Sequence, residues 1–265
     1  MKIWSKKQVC LLTAVGAGCS FLFRILFAVL EIDVADVSMK KRVFYTELSY
    51  ILGLVIMAFA AAFTEKADFG MSMVVAPAYI LHLKISELLP WFSFGVAEYF
   101  FQGILVIVTI IVMRKFKLSY LFSFVTALIY GTLLDLAMAL ISPLPDTYFA
   151  VRVVWYILGT VLCSLAVSLF FHTYISPEAY ELIVKELSAK FRCDINKVKT
   201  AYDCFSVVLG IALSFSFFGF GVFEGVKLGT IICAALNGFL ISRFSKLLEK
   251  LFEFRSKFKI QRFFE

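Results

Sequence analysis

The sequence predicts an all-α, polytopic membrane helix bundle made of two inverted three-helix repeats. Three observations lead to this fold class. The chain is apolar throughout, with 62% hydrophobic and 17% charged residues and a mean hydropathy of +0.92, whereas soluble domains contain about 45–50% apolar residues. It has six apolar runs long enough to cross a bilayer. Two short sequence motifs also occur twice, once in each half of the chain.

The six apolar runs define the core of the predicted bundle. They lie at about 48–64, 95–113, 119–141, 152–172, 202–220 and 227–242. A further apolar run, Val9–Leu30, predicts an extra N-terminal helix within a 1–42 segment that ends in a basic linker. Whether this helix crosses the membrane or lies along its surface is left open. We therefore divide the rest of the chain into repeat 1 (43–142), repeat 2 (150–242) and a basic amphipathic tail (243–265).

The repeated motifs predict that the two halves of the chain arose by duplication. Tyr50-Ile-Leu-Gly53 matches Tyr156-Ile-Leu-Gly159, and Ala78–Lys84 matches Ala179–Lys185. Each half has three crossings, and an odd number of crossings forces the two halves to be inverted. The two segments with the second motif are too short to span the bilayer at about 1.5 Å per residue. Each half is therefore expected to carry a short broken helix, either re-entrant or lying at the membrane surface.

Basic residues predict the orientation. With six crossings, four basic clusters with 18 lysines and arginines fall on one side and only four such residues on the other. Cytoplasmic loops carry the excess of positive charge. The clusters and the C-terminus are therefore expected in the cytoplasm, in a multi-pass protein of the cell membrane. The +7 net charge is explained in this way, and nucleic acid is not expected as a partner.

Polar residues within the apolar runs are the candidate binding site. An ionisable group costs about 2.5–3.5 kcal/mol at mid-membrane, so it is usually functional. Glu98 and Gln102 are four residues apart and share one helix face. Asp203 opens the corresponding helix of the second half, while Asp135 has Asn237 as its rough counterpart. These five residues are the predicted substrate or ion site, although Glu98 and Asp203 also suit simple capping.

The turns before the two short helices are a second candidate region. Helix N-termini at such turns favour anions, so a carboxylate or phosphate of the cargo is expected to dock there. Ordinary capping and turn chemistry is the alternative. The residues concerned are Asp68, Gly70, Ser72, Pro77, Tyr79, His172, Ser176, Pro177 and Tyr180.

The sequence gives no support for catalysis or for a cofactor. It has no nucleotide-binding glycine motif and no catalytic motif with a nucleophile or a metal-binding histidine pair. The six cysteines form no C-x-x-C pair, and we interpret them as small apolar side chains that pack within helices. We therefore expect no enzyme activity, no cofactor and no metal site.

Four segments resemble bacterial membrane proteins of the YitT/YczE type. They are Asp68–Tyr79, Phe94–Tyr99, Ser119–Ala127 and His172–Tyr180. The similarity covers roughly residues 43–265 and leaves out Val9–Leu30. That group is multi-pass and mostly without an assigned activity, so the resemblance implies a membrane location and transfers no catalytic residues.

Two functions fit the sequence. The first is a secondary transporter of a small molecule or ion that works by alternating access, since transporters bind cargo where two repeats meet. In that case Asp135→Asn is expected to abolish coupled flux. The second is a non-transporting membrane regulator or assembly partner that docks through the basic tail. The expected partners are the lipid bilayer and an unidentified substrate, with homo-oligomerisation left open.

Overall fold

A computed structural model describes residues 42–175, 178–193 and 195–256 of the chain. The predicted all-α membrane fold is confirmed. Six of the helices in the described residues are long and apolar enough to cross a membrane. The protein is therefore a multi-pass integral membrane protein.

The helices follow the order that the apolar runs predicted. The long helices are α1 (Thr46–Ala67), α3 (Phe94–Met113), α4 (Leu118–Ile141), α5 (Phe149–Phe170), α7 (Ile195–Phe218) and α8 (Leu228–Leu251), and the short ones are α2 (Ala76–Ser86) and α6 (Ala179–Phe191). The two short helices contain the repeated motif that begins with Ala-Tyr. The predicted N-terminal helix Val9–Leu30 lies outside the described residues.

Helices α1 and α5 pack against each other at the centre of the bundle. The glycines of the repeated Tyr-Ile-Leu-Gly motif allow this close approach. A side chain at Gly53 would meet the ring of Phe170 at 2.6 Å, and one at Gly159 would meet Thr64 at 2.6 Å. Gly159 lies 106 residues after Gly53, and Phe170 lies 106 residues after Thr64. The two contacts are thus equivalent under exchange of the halves.

Two short parallel strands mark one end of the bundle, which we call the strand end. β1 (Arg42–Tyr45) leads into α1, and β2 (Phe252–Arg255) follows α8. Phe44 packs on Phe252 and Phe254, with ring centroids 5.0 and 5.7 Å apart. The opposite end contains a polar cavity described below, and we call it the cavity end.

The C-terminal region differs from the predicted amphipathic tail. Helix α8 continues to Leu251, and the chain then forms β2 instead of helix. The alternation of Phe252 and Phe254 with Glu253 and Arg255 has the period of a strand, and β1 supplies its partner. Residues 257–265 of the tail lie outside the described residues.

Both short helices begin inside the bundle. The first residue of α6, Ala179, lies beside Gln102 in α3, while Lys190 reaches the carbonyl of Val112 near the strand end. Gln102 is 11 residues before the end of α3, or roughly 16 Å from it. Helix α6 therefore runs from the interior to the strand end.

Helix α2 is placed in the corresponding way in the other half of the bundle. Ala76 and Ile80 lie within 4 Å of the Cβ position at Gly210 of α7, and Lys84 lies 5.7 Å from the ring of Phe218 at the end of α7. Helix α2 therefore runs from the interior to the cavity end. Each short helix packs on the second long helix of the other half.

Candidate functional site

A group of buried polar side chains lies where α3, α4 and α6 meet. Glu98 and Gln102 come from α3, Tyr130 from α4, and Glu178 and Tyr180 from the start of α6. We call these five residues the central polar cluster. Glu98, Gln102 and Tyr130 are 0% exposed, and Tyr180 and Glu178 are 1% and 5% exposed. The cluster is thus shielded from lipid and solvent.

Close contact between α3 and α4 fixes the position of Glu98. A side chain at Gly95 would overlap the carbonyl oxygen of Gly131, and one at Gly131 would lie 2.6 Å from the carbonyl oxygen of Gly95. Small residues let membrane helices approach backbone to backbone in this way. Glu98 follows Gly95 by about one turn, so it points into the same narrow junction.

Asp135 completes the cap of α3. The N-cap residue Ser93 accepts a hydrogen bond from the backbone N–H of Val96 at 3.2 Å and donates its own hydroxyl to Asp135 at 2.5 Å. The backbone N–H of Gly95 also donates to Asp135, at 2.8 Å. A carboxylate at a helix N-terminus is favoured by the helix dipole. Asp135 therefore ties α4 to the start of α3.

The start of α6 meets α3 through two hydrogen bonds. The phenol of Tyr180 donates to Glu98 Oε2 at 2.6 Å, and the backbone N–H of Ala179 donates to Gln102 Oε1 at 3.2 Å. An unpaired N–H at a helix start needs a partner, and here Gln102 supplies it from another helix. Glu98 and Gln102 thus share a face, as their spacing predicted.

Four polar atoms of the cluster have no hydrogen-bond partner among the residues that the structure describes. They are Glu98 Oε1, Gln102 Nε2, the Tyr130 hydroxyl oxygen and Glu178 Oε1. Buried polar atoms are almost always hydrogen-bonded, because leaving one unpaired costs about 1–3 kcal/mol. Several such atoms in one place are typical of a site that binds a polar ligand or a proton.

A series of charged groups connects the cluster to the start of α7. Burial, followed by the charges of Glu181 and Glu98, raises the pKa of Glu178 well above its usual range. Burial also raises the pKa of Glu181, while the positive charge of Lys199 lowers it. Lys199 lies 3.0 Å from Asp203, with the two side chains 36% and 17% exposed. Acidic groups therefore extend from the interior to a partly exposed position.

The structure separates the remaining predicted site residues from the cluster. Asp135 caps α3, as described. Asn237 accepts a hydrogen bond from Ser164 of α5 at 2.8 Å and also contacts Cys163. The predicted five-residue site is thus divided: Glu98 and Gln102 lie together, Asp203 belongs to the charged series, and Asp135 and Asn237 join helices elsewhere.

The turn before α2 forms a polar junction at the cavity end. Asp68 has a left-handed backbone and pairs with Arg152 at 3.0 Å and Lys227 at 2.5 Å. Gly70, at φ 108°, packs against Lys227 and Thr230, where a Cβ would be 2.5 Å from the threonine hydroxyl. Glycine is therefore required at this position.

A cavity of about 300 Å³ opens next to this junction. It is lined by Glu65, Lys66, Asp68, Tyr79, Met138, Ile141, Ser142 and Asp146. Lys66 lies 3.1 Å from Asp146. Burial raises the pKa of Tyr79 above its usual range, so its phenol stays neutral. Of the other predicted turn residues, Ser72 accepts the backbone N–H groups of Val75 and Ala76 with its carbonyl oxygen, and the buried Pro77 occupies the first turn of α2.

The second predicted turn lies at the strand end. His172 contacts the carbonyl oxygen of Ser168 at 2.7 Å, lies 3.3 Å from Glu249 and stacks on Phe254. Of the same group, Tyr180 belongs to the central polar cluster, and Ser176 and Pro177 lie outside the described residues. Within the described ranges, no three His, Cys, Asp or Glu side chains converge as metal ligands.

Sequence reasoning missed two members of the cluster. Tyr130 is one of many aromatic residues in apolar helices, and its burial depends on the α3–α4 contact. Glu178 reads as a first-turn acid of a short helix that is either re-entrant or at the membrane surface. The signal that could have identified it is its position next to a short helix in a membrane protein, where an acid is costly unless it is enclosed.

Comparison with known proteins gives a family and no named relative. No curated protein and no solved structure matches the chain. Residues 44–246 match a family of unknown function, DUF6198. The match covers most of the chain and all six long helices except the last turn of α8. The chain therefore belongs to the family DUF6198.

Proposed function

We propose that this protein is a secondary transporter of a small molecule or ion, and that the central polar cluster is its binding site. The observation that carries this proposal is the start of α6. A helix end inside the bundle faces a group of buried polar atoms that lack partners within the described part of the chain. Discontinuous helices of this kind form the binding sites of many transporters near the bilayer midplane.

The contacts between the halves support an inverted duplication. Helices α1 and α5 exchange equivalent glycine contacts. Helix α2 packs on α7 and helix α6 on α3, and the two short helices leave the interior in opposite directions. Alternating access requires two such units that move against each other around a central site. The resemblance to YitT/YczE-type proteins, which stays a prediction, is consistent with this arrangement.

The basic clusters support an orientation with the strand end in the cytoplasm. Arg114, Lys115 and Lys117 join α3 to α4 at this end, and Lys185 and Lys190 lie on α6. The cavity end then faces outward. Under this orientation, the charged series from Glu178 to Lys199 opens towards the cytoplasm.

Cysteine labelling in sealed vesicles tests the proposal without a known substrate. On a cysteine-free background, Gln102→Cys is expected to react with a small thiol reagent added from either side, because alternating access opens the cluster to each side in turn. Lys84→Cys is expected to react only from outside and Lys185→Cys only from inside. Ala62→Cys is the matched control, since Ala62 is also 0% exposed but lies in the packed core.

The outcome separates transport from the alternative of a non-transporting regulator. A regulator has no reason to open its interior, so Gln102→Cys would stay unreactive from both sides, like Ala62→Cys. Reaction of Gln102→Cys from a single side would also contradict alternating access. Reaction of Lys84→Cys and Lys185→Cys from the same side would contradict the inverted halves.

A further inference from the structure

We infer that the ion coupled to transport is a proton, and that Glu98 carries it. This inference rests on the proposed function and names the coupling ion and the residue that binds it. The contacts of Glu98, the charge at the start of α6 and the charged series towards α7 each support a proton over a metal cation.

The first argument is the environment of Glu98. The side chain is 0% exposed, and within the described residues its hydrogen bond comes from the neutral phenol of Tyr180. In the described part of the chain, no Lys, Arg or His lies within ion-pair distance of this carboxyl group. A buried carboxylate without a cation takes up a proton instead of keeping its charge.

The described groups that interact electrostatically with Glu98 include phenols and a second carboxyl group. Tyr130 on α4 and Tyr180 on α6 are phenols, and Glu178 precedes α6. Tyr202 on α7 also interacts electrostatically with Tyr180. On the α2 side, His82 lies against Phe94 and contacts the carbonyl oxygen of Phe92. A proton is therefore the charge carrier that this environment accommodates.

The second argument is the polarity of α6. Its N-terminus points at the cluster, and a helix N-terminus carries a partial positive charge. Transporters bind metal cations with carbonyl oxygens and helix C-termini, and they turn helix N-termini towards anions. Gln102 Nε2 and the Tyr130 hydroxyl add hydrogen-bond donors. This arrangement disfavours a metal cation. The same partial charge stabilises the carboxylate that remains after Glu98 releases its proton.

The third argument is a route for the proton. Glu178 interacts electrostatically with Glu98 on one side and with Glu181 on the other, and Glu181 interacts with Lys199 and Asp203. The exposure of these side chains rises along the series to the partly exposed Lys199. The acids therefore form a series from the buried Glu98 towards the partly exposed start of α7 at the strand end.

The transfer step conserves atoms and charge. Once Glu178 has passed its own proton to Glu181, the O–H bond of Glu98 breaks and a new O–H bond forms on Glu178. A water molecule that enters the site carries the proton between the two carboxyl groups and is not consumed. Glu98 is left as a carboxylate, and the Tyr180 hydroxyl at 2.6 Å and the nearby N-terminus of α6 stabilise its charge. No oxidant, reductant or co-reactant is needed.

Infrared spectroscopy of the purified protein in a choline chloride buffer tests the inference. The carbonyl stretch of a protonated carboxylic acid is separate from that of a carboxylate. At neutral pH the protonated-acid band of Glu98→Gln is expected to be weaker than that of the wild type by the contribution of one carboxyl group, because Glu178 also carries a proton. Glu253→Gln is the control, because Glu253 is 49% exposed and paired with Arg255, and it should leave the band unchanged. Added sodium chloride should also leave it unchanged.

Two results would overturn the inference. An equal band in the wild type and Glu98→Gln would mean that Glu98 is ionised, and loss of the Glu98 contribution on adding sodium would identify a metal cation as the ligand. The band reports protonation whether or not the protein transports. Two-sided labelling of Gln102→Cys without the Glu98 contribution would thus reject the proton alone, and that contribution without two-sided labelling would reject transport.

Discussion

The two short helices are alike in placement and opposite in environment. Both begin inside the bundle beside the second long helix of the other half. Helix α6 follows the buried N-cap residue Glu178 and faces Glu98 and Gln102. Helix α2 follows the N-cap residue Val75 and faces Gly210, around which Ile80, Ala76 and Val226 make an apolar contact.

This difference separates packing from polarity in the two helix starts. The equivalent contacts of α1 and α5 need only small residues at their crossing points. Polar groups are costly in an apolar interior, and a buried cluster of them lies at the start of α6. The start of α2 is therefore a packing contact, whereas the start of α6 is a polar site.

The helices that present these two environments also differ. Helix α3 is held against α4 by the Gly95–Gly131 contact, whereas a side chain at Gly238 of α8 would meet nothing within 4 Å. The spans of α7 and α8 are the least buried of the six. The polar site thus lies on the more firmly packed pair.

The largest expected effect is on that pair. Gly131→Ala should separate α3 from α4 and lower the free energy of unfolding by about 3 kcal/mol or more, as overpacking against backbone does. Thermal unfolding in detergent measures this loss. Gly238→Ala is the control and should be neutral or slightly stabilising, since alanine is the better helix former. Equal melting of Gly131→Ala and wild type would contradict the close contact.

A smaller effect is expected where α4 caps α3. Asp135→Asn should lower the free energy of unfolding by about 1–2 kcal/mol, because it removes the charge from hydrogen bonds to Ser93 and Gly95. Two-sided labelling of Gln102→Cys should persist, since Asp135 lies outside the central polar cluster. Asp146→Asn, at an exposed ion pair, should change stability little. Loss of labelling in Asp135→Asn would instead assign Asp135 to the transport cycle.

The smallest expected effect is a change in pH dependence. Burial raises the pKa of Glu178 in the folded protein, so its stabilising contribution is present below the pKa of the unfolded chain and is lost as the pH rises through the folded value. The wild-type melting temperature should therefore fall towards alkaline pH. Glu178→Gln should reduce this slope, with Glu181 responsible for the remainder, whereas Glu253→Gln should leave it unchanged. An unaltered slope in Glu178→Gln would show that the carboxyl group is solvated.

Sequence patterns predicted the spans better than their ends. The hydrophobic runs located all six long helices, because the bilayer requires about 20 apolar residues for each crossing. Helix α7 nevertheless begins at Ile195 and α8 ends at Leu251, several residues beyond the apolar runs. Charged turns such as Asn196–Lys199 stay helical where they leave the hydrocarbon, so hydropathy alone misses them.

The candidate site was predicted only in part. Glu98 and Gln102 were identified because polar residues four apart on an apolar helix are unusual. Asp135 and Asn237 share that polarity but satisfy helix contacts, with Ser93 and Gly95 in one case and Ser164 in the other. Polarity in a span does not distinguish a ligand site from a cap, since both need a buried hydrogen-bonding group.

The sequence by itself determined that the chain lies in a membrane and where the six long helices of the described residues lie, and it predicted the repeat of the two halves. These properties follow from local composition and from periodicity, which do not depend on distant contacts. Only the tertiary structure decided which polar residues meet. Tyr180 reaches Glu98 across 82 residues of chain, and the Gly95–Gly131 contact brings Tyr130 to the same place. Packing between helices sets such distances, and no local pattern encodes them.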